Sequence, residues 1–349
     1  MVVPSQLVLS ATKRSLSSRV QLRTPFYPCC CVFPQAAKRR YLSSSEQESK
    51  NSENQEQHNK NDNSKSQPKV ALIMGVANHR SIAWACVQEF QQQGYQVLLT
   101  YQNDRLRPSI EKLIATTTSK KNHHPIHALP CNVETDLPRL FQEQIPQVLQ
   151  EISSQHQQQQ SLQLDSIVHS VAFAPFDNPD NPKLYLSEAS WHDYQMAMHT
   201  SAYSLVETAH YAKHVMNSHT STTAASITAL TYLGSTRAVP HYYLMGPAKA
   251  ALEANMRALA LELGHYYIRD DNPHSIRVNA VSAGPVRTLA SRGIPHFTEL
   301  WQHAQETAPL KRNVTVAEVA HAVRFLAEAS GITGQVLHVD GGYSSVVPV

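Results

Sequence analysis

The stretch Val70-Ala71-Leu72-Ile73-Met74-Gly75-Val76-Ala77-Asn78-His79-Arg80-Ser81-Ile82-Ala83 decides the architecture. Five consecutive apolar residues read as a strand buried on both faces. A glycine turn follows, then a helical pattern over Ile82–Gln93 with Ser81 at its start. Strand, glycine turn and helix open a βαβ unit whose turn and helix N-terminus can face a phosphate. The usual G-x-G-x-x-G spacing is absent: Gly75 is alone in the turn, and the whole chain has 11 glycines. The physical parts remain. Gly75 allows the tight turn, Ser81 can donate to a phosphate, and the helix beginning there offers free N–H groups.

Working outward, further apolar runs alternate with helical patterns. The runs are Gln96–Thr100, Ile126–Pro130, Asp165–His169, Ser226–Leu230, Arg277–Val281 and Gln335–Val339. Helical segments include Ser190–Met216, Ala248–Leu263 and Val316–Ala329. This alternation predicts an α/β fold: a single doubly wound Rossmann-type domain over residues 69–349, with a seven-stranded parallel sheet and helices on both faces. Two polar patches, Thr116–His124 and Ser153–Gln160, read as surface-loop insertions.

The charge is uneven. The chain of 349 residues carries a formal +3, from 30 basic and 27 acidic side chains. Seven of the basic ones (Lys13, Arg14, Arg19, Arg23, Lys38, Arg39 and Arg40) precede the first acid, Glu46. Removing them leaves 23 against 27, a body near −4 with no basic footprint for nucleic acid. Residues 1–42, rich in Ser, Arg and Lys, read as an organelle presequence, mitochondrial in character, with a plastid address as the alternative. Residues 43–68 read as a disordered polar linker. No apolar run reaches the ~20 residues of a membrane span. Outside the presequence only Cys86 and Cys131 remain, without metal or redox spacing. His210 and His214, four apart, have no companion acid nearby and read as no metal site; His169 reads as a satisfied residue at a strand end.

The second strand ends Thr100-Tyr101-Gln102-Asn103-Asp104. Gln102 stands where a ribose-binding acid is expected, and no Arg or Lys adjoins it to take a 2′-phosphate, which favours NADH over NADPH. Arg105 and Arg107, slightly further on, pull the other way. The most informative block runs from Tyr232 through Tyr242 and Met245 to Lys249. Tyr242 and Lys249, seven apart, share a face if the stretch is helical. A phenol can donate to a developing oxyanion, and an ammonium can hold a nicotinamide ribose and lower the phenol's pKa. Pro247 fits a helix only in its first turn, so the regular helix is expected to begin near Met245 or Gly246.

These residues resemble the short-chain dehydrogenase/reductase superfamily, and within it the enoyl-acyl-carrier-protein reductases of bacteria and plastids. Most of the superfamily places a tyrosine four before the lysine; here that position is Met245, the tyrosine is one turn earlier, and Tyr232 is the upstream hydroxyl. The resemblance runs from about Lys69 to Ser344. It also rests on Val168-His169-Ser170-Val171-Ala172-Phe173-Ala174-Pro175 and on Arg277-Val278-Asn279-Ala280-Val281-Ser282-Ala283-Gly284-Pro285-Val286-Arg287-Thr288-Leu289.

The resemblance implies that Tyr242 donates to a thioester oxygen, that Tyr232 shapes the acyl site beside it, and that Lys249 clamps the ribose. It implies a cofactor site lined by Gly75, Ser81, Ile82, Gln102, Asn132, Val133, Ser170, Val171, Val286, Arg287, Thr288, Leu289 and Ala290, with Ala174 against the substrate. Residues 289–308 would form a substrate lid, with Gly293 and Pro295 suited to a hinge. Acyl-carrier protein bearing an enoyl thioester is the implied partner, and a homotetramer the implied assembly; no metal enters. Three departures stand out: Asn132 replaces a usual Asp, Ala172 a common Gly, and Pro247 lies inside the catalytic helix. Tyr243 reads as packing, and His241 has no assigned role. The rival readings are a ketoacyl or other carbonyl reductase of the same superfamily, and a non-catalytic dinucleotide-binding scaffold.

Overall fold

Strands β1 (Val70–Met74), β2 (Gln96–Tyr101), β3 (Ile126–Pro130), β4 (Ser166–His169), β5 (Ser226–Thr231), β6 (Arg277–Ala283) and β7 (Val336–Val339) form one sheet in this computed structural model, which describes residues 68–118, 124–156, 162–175, 185–216, 225–266 and 275–346. Their order is β3-β2-β1-β4-β5-β6-β7, and every pairing is parallel. The order reverses between β1 and β4, where Ala71 pairs with Ser166 and Met74 with His169. Parallel doubly wound sheets bind ligands beyond the carboxyl ends of the strands at this point.

The sequence explains the two-sided burial. Alternate residues of each strand face opposite layers. Leu72, Leu98, Ile167, Ile227 and Val278 pack with α4 (Ile145–Gln155), α6 (Ser204–Ala212) and α7 (Met245–Leu261). Ala71, Ile73, Leu99, Val168 and Val281 pack with α1 (Ile82–Gln92), α2 (Arg107–Thr118) and α9 (Val316–Glu328). The remaining helices are α3 (Leu137–Arg139), α5 (Trp191–Met198) and α8 (Phe297–Thr307). The residues from Ser66 onward form one unit.

All seven expected strands are present, and several bounds move by one or two residues. Ser190–Met216 is not one helix: a π-helical segment, His199–Tyr203, joins α5 to α6. The two loop insertions also start later than expected, since α2 runs to Thr118 and α4 to Gln155. The rest of those patches falls mainly on 119–123 and 157–160, outside the described residues, as do the presequence and all of the linker but Pro68. The expectation for Pro247 holds: α7 begins at Met245, which puts the proline in the first turn.

Candidate active site

The turn after β1 is built by contact rather than by glycine number. Gly75 has φ +87°, and a side chain there would collide with the Ser170 carbonyl oxygen at the end of β4. Its N–H donates to Thr100 Oγ1 at 3.2 Å, and Val76 N–H donates to the Thr100 carbonyl at 2.8 Å. Ser81 caps α1 by accepting from Trp84 N–H. Its own hydroxyl donates to the Asn78 carbonyl at 2.8 Å. Its one proton is therefore spent within the turn, and the phosphate-facing donors left are N–H groups of the helix start.

A cleft of about 450 Å³ opens here. Its wall contains Gly75, Ser81, Ile82, Gln102, Asn132, Val133, Ser170, Val171, Tyr232, Tyr242, Lys249, Thr288, Leu289 and Ala290. Two expected members stand apart. Val286 lines the neighbouring apolar cavity instead. Arg287 is exposed and lies over the Trp301 ring, 3.8 Å from its centroid, in neither cavity wall. Asn132, the departure from the usual acid, accepts from Glu134 N–H through its side-chain oxygen at 3.2 Å, a local turn contact.

A second cavity of about 540 Å³ shares Tyr232, Tyr242, Ala172 and Thr288 with the first. Ala174 is in its wall as expected, and Phe173, Met245, Ile294, Phe297 and Leu300 make it apolar. From sequence, Ile294, Phe297 and Leu300 were expected only as members of the lid, and Phe173 only as part of a family block. Met245 was noticed for what it replaces, yet its burial against Tyr242 and Ala174 gives it a packing role at the site.

Tyr242 stands at the junction. It lies just before α7, and its carbonyl accepts from Gly246 N–H at 2.8 Å. That i→i+4 bond is α-helical, so the turn preceding α7 continues its spacing and brings the phenol to the same cleft as Lys249. The Tyr232 and Tyr242 rings meet edge to face, with centroids 5.0 Å apart. A side chain at Gly234 would touch ring carbons of Tyr242 at 2.5 and 2.7 Å, so the glycine makes room for the ring. Burial, then the neighbouring Tyr232, pushes the Tyr242 phenol above its ordinary pKa. The expected lowering by the lysine is thus corrected: burial keeps the phenol protonated, and Tyr242 is a neutral donor.

Lys249 is buried and donates to the Leu230 carbonyl at 2.8 Å. Burial lowers its pKa to about 8, opposed by Glu253 one turn later. Glu253 is itself buried and accepts from Thr231 Oγ1 at 2.7 Å. The Tyr232 hydroxyl is buried with no hydrogen-bond partner among the described residues. A three-donor ammonium with one recorded bond and an unpartnered phenol suit a hydroxyl-rich cofactor and an oxygen-bearing substrate.

His169 departs from expectation. Its Nε2 meets Ser204 Oγ at 3.0 Å, but its Nδ1 has no partner among the described residues, and burial, helped by Lys249, lowers its pKa to about 3. Among the described residues no cluster of His, Cys, Asp and Glu is arranged to hold a metal, and no helix is long and apolar enough to cross a membrane.

A family model described as enoyl-(acyl carrier protein) reductase matches residues 75–344. A protein of Nostoc sp. named enoyl-[acyl-carrier-protein] reductase [NADH] FabI is 41% identical over 277 residues, 79% of this chain and 96% of that relative. One from Staphylococcus aureus, named for NADPH instead, is 37% identical over 80% of this chain and 97% of its own. The crystal structure of the Bacillus cereus enoyl-acyl carrier protein reductase with NADP+ and indole naphthyridinone superposes with a TM-score of 0.68 at 35% identity, covering 81% of this chain and 98% of that one. With relatives covered almost end to end and the family match spanning residues 75–344, the chain belongs to the enoyl-(acyl carrier protein) reductase family of oxidoreductases.

Proposed function

We propose that this chain reduces the trans-2 double bond of enoyl thioesters carried on acyl-carrier protein, as in type II fatty-acid synthesis, with NADH as the reductant. One observation carries the reading: a neutral, buried phenol, Tyr242, at the meeting point of a polar-lined cleft and an apolar cavity. The cleft would hold the dinucleotide, with Gly75 and the start of α1 at its phosphates and Lys249 at its ribose. When bound, the reduced nicotinamide supplies a hydride for the β-carbon of the enoyl group. The apolar cavity takes the acyl chain and keeps water away from it. Tyr242 donates a hydrogen bond to the thioester oxygen as negative charge develops there, and a proton from solvent at the α-carbon completes the reduction. A preorganised donor of this kind is worth about 3–4 kcal/mol. The Tyr232 ring packs against Tyr242 and fixes its direction.

The NADH preference is supported by Gln102 at the tip of β2, and by Arg107, which pairs with Glu111 at 3.5 Å and is outside the cleft wall. Named relatives include both NADH and NADPH enzymes. We infer residues 1–42 to be an organelle presequence. Its character favours the mitochondrion, and the cyanobacterial relative suits a plastid; a reporter fused to residues 1–68 distinguishes the two. A homotetramer is the proposed assembly.

The test follows loss of NADH by the full chain with crotonyl thioesters of acyl-carrier protein or coenzyme A, against acetoacetyl thioesters. Turnover with the enoyl substrate alone is the expected result. Turnover only with the ketoacyl substrate would move the chain to the carbonyl reductases, and nucleotide binding without turnover would make it a scaffold. In the same assay Tyr242→Phe should lower kcat by roughly 10²–10³ with nucleotide affinity nearly unchanged.

A further inference from the structure

Two histidines that the reaction leaves unused face each other beside the site. The rings of His241 and His296 stack with centroids 4.6 Å apart and planes inclined by 26°. Both backbones are left-handed, with φ 62° and 57°. Non-glycine residues seldom adopt that conformation unless surrounding structure holds them there. His241 immediately precedes Tyr242. His296 is the residue before α8, and the next one, Phe297, lines the apolar cavity. The stack therefore joins the loop that carries the proton donor to the segment that roofs the acyl cavity.

We propose that His241 and His296 are positioning residues that clasp the start of α8 over the acyl cavity. This rests on reading the apolar cavity as the acyl site. The stack lines a further cavity of about 460 Å³ behind Leu300, a residue whose other side borders the acyl cavity. The groups facing it there are Arg237 from the loop, Glu299 and His303 from α8, and Tyr343 from the C-terminal segment. Tyr243 meets His241 edge-on at 6.1 Å. Glu299 is the one acid among them, and its Oε1 lies 3.0 Å from His296 Nδ1. The Glu299 contact orients the His296 ring, and the stack with His241 ties that ring to the loop that carries Tyr242.

The experiment compares the full chain with His296→Asn, His241→Asn and the double variant, because asparagine tolerates the left-handed backbone but cannot form the ring stack. KM for the enoyl thioester should rise about fivefold in either single variant with kcat changing less, and no further in the double variant, while nucleotide affinity stays the same. Hydrogen exchange of residues 294–300 in the absence of substrate gives a readout independent of turnover, and it should quicken equally in all three variants. Variants that keep the original KM and exchange rate, or single effects that add in the double variant, would overturn the clasp. If the chain proves unable to reduce enoyl thioesters, the exchange result still decides the clasp while the functional reading falls.

Discussion

Lys249 shows what residue identity discloses and what it leaves out. Its pairing with Tyr242 was legible, because a tyrosine and a lysine near the end of a central strand suit the same chemistry. The charge states were not, because they depend on burial. Desolvation brings Lys249 to about 8, with Glu253 opposing the shift. The sign follows directly. Below pH 8 the ammonium is charged in the folded chain and costs stability relative to the solvated unfolded lysine; that cost fades as pH rises from 8 toward the unfolded value. Binding runs the other way, since only the charged form keeps two donors beyond the Leu230 bond, and a positive charge, for the ribose. NADH affinity, followed by nucleotide fluorescence, should therefore weaken roughly tenfold between pH 7 and 9.5, about 1.4 kcal/mol. A flat profile would remove Lys249 from the ribose. Ser81 and His241 were harder to read for a related reason. Whether a hydroxyl's proton is free, or a ring has a stacking partner far along the chain, is fixed by tertiary contact.

Among the elements, α7 was read most closely from sequence, through a single proline. Pro247 is the third residue of α7, and the first N–H groups of a helix have no partner inside it. The missing N–H therefore costs nothing there, and Ala248 N–H already reaches the Leu244 carbonyl at 3.3 Å. Pro247→Ala should shift thermal stability by less than about 1 kcal/mol. Ala251→Pro, one turn further on, should cost about 3 kcal/mol or more, because it removes an interior bond and clashes with the preceding turn. Equal effects in thermal unfolding would mean that the helix begins elsewhere. The Ser190–Met216 segment shows the limit of such reading. Its apolar periodicity gave one helix, and the extra residue that widens His199–Tyr203 into a π turn leaves no mark in a 3.6-residue pattern. That turn matters to the site, since Ser201 accepts from Phe173 N–H at 2.9 Å and donates back to its carbonyl at 2.7 Å.

For the whole molecule, strand and helix alternation was enough to give the sheet, and the switch point between β1 and β4 gave the site its location. Surface apolarity was not legible, because periodicity says that a helix has an apolar face without saying how many it has. In the structure Leu261 at the end of α7 is 57% exposed and Tyr203 51%. Their elements are packed together, with Asn255 of α7 donating to the Ala202 carbonyl at 3.2 Å. The exposed Leu261 gives the proposed tetramer a test. Leu261→Glu introduces a charge that would be buried without a partner in a symmetric interface, at a cost of several kcal/mol. Sedimentation velocity should then show the assembly falling to a smaller species at micromolar concentration, with the fold retained by circular dichroism. An unchanged sedimentation coefficient would exclude this face from the interface. Because α7 also carries Lys249, the dissociated variant should lose nucleotide affinity as well, tying the assembly to the cleft through one helix.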